Sequence, residues 1–96
     1  MEEKKYLPIG TIVVMKNEII LYMIAGYINK SDKNIKDYIC IPFPYGFMSD
    51  KIVAYYNHED IEKIVFKGYI NDKYNELNKL LNDNYDRKWL AWVQVL

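Results

Sequence analysis

The chain has 96 residues, of which 51% are apolar and 16% aromatic; this excludes a disordered chain and fits one domain burying about 60 to 65% of its unfolded surface. Thirteen basic residues balance thirteen acidic ones, and Arg87 is the sole arginine, so no net field draws the chain to phosphate backbones or anionic lipid, and neither nucleic acid nor membrane is expected as a partner. Cys40 is the only cysteine, which rules out an internal disulfide, and no apolar run approaches the roughly 20 residues of a membrane span. With the charged start Met1-Glu2-Glu3-Lys4-Lys5, this cysteine usage predicts a reducing cytoplasm.

In chain order, Pro8 and Gly10 open a β-rich region. Thr11-Ile12-Val13-Val14-Met15 is dominated by β-branched residues that suit a pleated surface, and reads as the first strand. Lys16-Asn17-Glu18 reverses the chain, because Asn tolerates left-handed dihedrals, and Ile19 to Tyr27 forms the second strand of a hairpin. Gly26 near its end admits a bulge or bend. Asn29 to Lys36 is polar and reads as an exposed loop, followed by a third strand over Asp37 to Ile41. Pro42 and Pro44 lack amide donors, which predicts an irregular aromatic turn over Pro42 to Phe47. Ile52 to Tyr56 gives the fourth strand, Asn57-His58-Glu59-Asp60 a tight or 3₁₀-like corner, and Ile61 to Tyr69 the fifth. Five short strands are expected to form an SH3-like barrel or a curved antiparallel sheet; the barrel is preferred because closure protects the sheet edges.

From Asn71 the period changes. Asn71 or Asp72 can cap a helix, and Tyr74, Leu77, Leu81 and Tyr85 recur on one face. A C-terminal helix over 71–94 is expected, interrupted near Asn82-Asp83-Asn84. The fold class is thus α+β, one domain over 1–96, with a β-rich part over 6–69.

No residue set completes a catalytic or cofactor-binding constellation. His58 beside Glu59 and Asp60 has the chemistry of a base held by a carboxylate, yet neither Ser31 nor Ser49 stands in a nucleophile turn, so the trio is read as a structural corner. Cys40 alternates with apolar residues and reads as a small buried hydrophobe. The acids Asp50, Glu59, Asp60 and Glu62 lack calcium-loop spacing, and the four glycines are scattered singly, so neither metal nor nucleotide is expected. The outlier is ten tyrosines, residues that pair an apolar face with a polar tip and concentrate where proteins meet. The partner-binding candidates are Tyr45, Phe47, Tyr55, Tyr85, Trp89 and Trp92. Trp89 to Leu96 is apolar on all sides and should be covered, either by folding back on the sheet or as a homodimer or effector surface.

Tyr6-Leu7-Pro8-Ile9-Gly10-Thr11-Ile12-Val13, then Met23-Ile24-Ala25-Gly26-Tyr27, then Asn57-His58-Glu59-Asp60-Ile61 with Val65-Phe66-Lys67-Gly68-Tyr69, occur in an order that resembles the bacterial family called domain of unknown function 4176. The likeness covers Tyr6 to Tyr69. It implies a small cytoplasmic accessory or chaperone-like protein of Gram-positive bacteria, encoded near type VII secretion genes and toxins with an LXG domain, and it carries over no catalytic residue. The expected function is a non-enzymatic protein-binding adaptor; the rivals are a small-barrel nucleic-acid module and a small enzyme using His58, Glu59 and Asp60.

Overall fold

A computed structural model describes residues 5–31 and 34–83. It shows a five-stranded antiparallel sheet followed by a C-terminal helix: β1 (Ile12–Met15), β2 (Leu21–Ser31), β3 (Asn34–Phe43), β4 (Ala54–Tyr56), β5 (Ile61–Phe66) and α1 (Asp72–Asp83). Short 3₁₀ turns at Asp50–Ile52 and His58–Asp60 flank β4. The strand order is β4-β3-β2-β1-β5.

Entry to the sheet is set by a turn over Pro8-Ile9-Gly10-Thr11, closed by Thr11 N donating to the Pro8 carbonyl at 3.2 Å, with Gly10 at φ 91°. That third position of a type II turn demands positive φ, which a Cβ penalises. Gly10→Ala is therefore expected to cost about 1–2 kcal/mol, seen as a lower urea midpoint at unchanged slope. Asn17 takes φ 65° in the β1–β2 reversal, as its side chain allows.

One face of the sheet forms the core. Thr11, Val13 and Met15, then Tyr22, Ile24 and Tyr27, then Tyr38, Cys40 and Pro42 are all buried. Strict alternation would not put Ile24 and Tyr27 on one face. A register shift between Ile24 and Gly26 against β3 does so, and it falls at the glycine where a bulge was expected.

Three expectations are corrected. The sheet is not closed into a barrel: β4 pairs with β3, β5 pairs with β1, and no ladder joins β4 to β5 among the described residues. The sheet is nonetheless curved, because only Asn57 to Asp60 separate its two outermost strands. Five Cα steps span at most about 18 Å, and three of the linking residues form a 3₁₀ turn that rises only about 2 Å each, so the link falls short of the about 19 Å across five flat strands. Second, most of the segment read as a polar loop is strand: Asn29 pairs with Lys36, Lys30 with Ile35 and Ser31 with Asn34. Polar composition does not distinguish a loop from the outer end of a long hairpin. Third, Pro42 continues β3, opposite Tyr22. Its carbonyl accepts from Gly46 N at 2.8 Å, so its missing donor faces away from β2 and no ladder bond is lost.

The chain divides into two compact units, one from Leu7 to Tyr69 and one joining the residues up to Tyr6 with those from Ile70. In the second, Asn71 caps α1 by accepting from Tyr74 N at 2.9 Å. Tyr74, Asn78 and Leu81 are buried on one helix face. Asn78 Oδ1 accepts from Tyr6 N at 2.9 Å, and the Tyr74 hydroxyl donates to the Tyr6 carbonyl. The expected continuation of the helix to 94, with Tyr85, Trp89 and Trp92, lies outside the described residues.

Candidate functional site

The corner and the end of the sheet opposite the β2–β3 hairpin are the two places where chemistry-bearing or exposed side chains gather. At the corner, Asn57 N donates to Asp60 Oδ2 at 2.8 Å and Asp60 N donates to the Asn57 carbonyl at 3.0 Å, a reciprocal cap for one turn of 3₁₀ helix. Asp37 on β3, which sequence reasoning passed over as a strand residue, fastens this turn to the sheet. Its N donates to Asn57 Oδ1 at 3.2 Å, and its Oδ2 accepts from His58 N at 2.8 Å. Burial of Asp37 without these partners would be costly.

His58 Nδ1 lies 2.8 Å from the Tyr38 hydroxyl, whose oxygen accepts from Leu7 N at 3.0 Å. The Leu7 carbonyl in turn accepts from the Tyr27 hydroxyl at 2.5 Å. Leu7 thus has both backbone polar groups held by tyrosines where no strand ladder reaches them. Of the trio that resembled a base with its carboxylate, His58 and Asp60 are bonded into the fold and Glu59 is exposed.

Cys40 is fully buried, and burial pushes its thiol up to about 12. Burial, then the hydrogen bond to Tyr22, also raises Tyr56, whose ring meets Tyr22 edge-on at 5.3 Å; burial raises Tyr74. The sign of the linkage follows. The unfolded Cys40 thiol loses its proton near pH 9.0 while the folded one keeps it to about 12, so the folded state holds more protons in that window and stability falls as pH rises through it. Tyr56 and Tyr74 add the same sign above pH 10.0. Urea midpoints should be level between pH 7 and 8 and decline steadily above pH 9.0, less steeply in Cys40→Val.

The pairing of Leu21 with Phe43 puts the residues just before β2 and just after β3 at the same end of the sheet. Ile19 is 100% exposed there, with Tyr45 at 64%, Phe47 at 65% and Met48 at 73%. Large apolar groups this open, clustered on loops, are the usual mark of a contact surface. Lys16, Glu18, Asp50 and Lys51, their near neighbours in the chain, are exposed and balanced in sign. Of the sequence candidates, Tyr45 and Phe47 belong to this cluster. Tyr55 is 44% exposed on β4, opposite Ile39, while its neighbour Tyr56 turns inward to Tyr22. Tyr85, Trp89 and Trp92 lie outside the described residues. Ile19 and Met48 were missed: Ile19 read as a strand residue, and only the actual start of β2 at Leu21 puts it in the turn. Among the described residues no three His, Cys, Asp or Glu side chains gather as a metal set, and no helix is long and apolar enough to cross a membrane.

The model of the family described as Domain of unknown function (DUF4176) matches residues 6–77. The chain belongs to this family. No curated protein and no solved structure matches the chain. The DUF4176 match reaches beyond the likeness read from the sequence, which ended at Tyr69, into α1. The residues that carry the likeness in the sequence coincide with the hydrogen-bonded scaffold. Leu7 is the residue clamped by Tyr27 and Tyr38, Gly10 supplies the positive φ, Thr11 Oγ1 accepts from Gly68 N at 3.0 Å, and Asn57, His58 and Asp60 build the corner.

Proposed function

We propose that this DUF4176 protein is a non-enzymatic protein-binding adaptor, a chaperone-like accessory factor for a type VII-secreted toxin or effector. The observation that carries the reading is the cluster of Ile19, Tyr45, Phe47 and Met48, exposed together on loops that a curved sheet holds at one end. Aromatic and methionine side chains on a scaffolded loop supply contact area with adaptable shape. The secretion setting comes from the family resemblance, and the gene neighbourhood supplies the partner to be tried first. The corner residues serve here as positioning scaffold, which agrees with the engagement of His58 Nδ1 and Asp60 Oδ2 inside the fold.

Deleting the gene should lower secretion of a toxin encoded beside it, and the purified chain should bind that toxin. Unchanged secretion together with no binding to any neighbouring gene product would refute the adaptor role. Because the contact is apolar and charge-balanced, affinity should vary less than about threefold between 50 and 500 mM salt. Titration calorimetry across that range checks this.

A further inference from the structure

Tyr6 and Leu7 precede the sheet and belong to none of its strands among the described residues. All four of their backbone polar groups are nonetheless taken up, each by a side chain. Tyr6 N donates to Asn78 Oδ1 at 2.9 Å and the Tyr6 carbonyl accepts from the Tyr74 hydroxyl, both partners standing on α1. Leu7 N donates to the Tyr38 hydroxyl of β3 at 3.0 Å, and the Leu7 carbonyl accepts from the Tyr27 hydroxyl of β2. All six residues are buried, which leaves water little chance to replace a lost partner.

The middle two bonds fall on one peptide group. The Tyr6 carbonyl and the Leu7 N–H share a planar trans unit, in which they point in opposite directions. A turn of that plane that takes the carbonyl away from Tyr74 therefore swings the N–H away from Tyr38. The two bonds also polarise each other through the amide. Tyr74 and Tyr38 thus grip one rigid plate, and neither grip is lost without weakening the other. Beyond Tyr38 the chain of bonds continues to His58 Nδ1 on the corner turn.

We propose that the Tyr6–Leu7 peptide is a conformational latch: release of Tyr6 by α1 frees the Leu7 amide from Tyr38 and loosens the corner at His58, and disturbance of the corner weakens the hold of α1 on Tyr6 in equal measure. The latch uses no residue of the loop-end cluster, so it stands or falls independently of the adaptor reading. The test is amide exchange of the full chain followed by nuclear magnetic resonance. Tyr74→Phe removes one hydroxyl from α1 and alters no partner of Leu7. The Leu7 amide should nevertheless exchange about fivefold faster relative to the Ile24 amide, which donates to the Thr11 carbonyl inside the sheet at 2.8 Å. The ring signals of His58, the only histidine, should shift in the same variant. Asn82→Ala removes a bond to the Asn78 carbonyl within α1 and touches neither backbone group of Tyr6, so it should leave the Leu7 amide unchanged. In Tyr38→Phe/Tyr74→Phe the fall in the folding constant should be about fivefold smaller than the product of the two single falls. An unchanged Leu7 amide or an unshifted His58 ring in Tyr74→Phe, an equal rise in Asn82→Ala, or single effects that multiply in full would overturn the proposal.

Discussion

Gly68→Ala is expected to destabilise the sheet unit by about 2–4 kcal/mol, the overpacking cost plus a strained buried hydrogen bond. A Cβ at position 68 would stand 2.3 Å from the Ile9 carbonyl oxygen and 3.0 Å from Thr11 N. Both obstacles are backbone, and both belong to the turn that starts β1. The Gly68 N–H, buried and bound to Thr11 Oγ1, would be pushed out of line by the same movement. Gly26→Ala is the informative control. Its Cβ would meet the Ile39 side chain, Cδ1 at 3.1 Å and Cβ at 3.3 Å; the terminal methyl can rotate away, and the Cβ contact asks for a shift of only a few tenths of an ångström. The urea midpoint should therefore fall much further for Gly68→Ala than for Gly26→Ala, with the slope unchanged in both. Equal losses would mean that the approach of Gly68 to Ile9 is not what fixes the end of β5.

Tyr38→Phe is expected to cost about 2–3 kcal/mol, because it strips the partner from a buried backbone donor while leaving the donor in place. The Tyr38 hydroxyl serves both Leu7 N and His58 Nδ1. In Tyr38→Phe both lose it, and Leu7 is 6% exposed, too little for water to substitute. His58→Ala removes the other end of the chain of bonds and leaves Leu7 N still bound, so its cost should be about 1 kcal/mol. The order of the two is the test: thermal or urea unfolding that ranks His58→Ala above Tyr38→Phe would show that the imidazole, and not the Leu7 clamp, is the centre of this network. In the double variant the losses should fall short of additive, since both single changes break the same contact.

Much of this architecture is legible in the residues, for reasons that can be named. Thr11 to Met15 reads as strand because β-branched side chains fit a pleat, and Asn57 to Asp60 reads as a tight corner because Asn and Asp bond their own backbone. The bulge at Gly26 and the cap at Asn71 were legible for the same local reasons. What failed to show was long-range. Whether the sheet closes depends on pairing between β4 and β5, for which no local pattern speaks. Polar residues at 29–36 look alike in a loop and in the outer end of a hairpin. Pro42 is forbidden only in a strand that needs its donor, and the direction of that donor is a property of the ladder. Likewise Tyr45 and Phe47 stand out by composition, but the company of Ile19, about 26 positions away in the chain, depends on Leu21 facing Phe43.

The claim on which the account rests is that the reactive-looking corner holds the fold while the apolar loop end holds the partner. Co-expression with the products of the neighbouring genes, followed by affinity capture, compares three chains: the natural sequence, Tyr45→Ser/Phe47→Ser and His58→Gln. The account predicts capture of a neighbouring gene product by the natural chain and by His58→Gln, and its loss in Tyr45→Ser/Phe47→Ser with the unfolding midpoint of that variant unchanged. Capture that survives the loop substitutions but is lost on His58→Gln would contradict it.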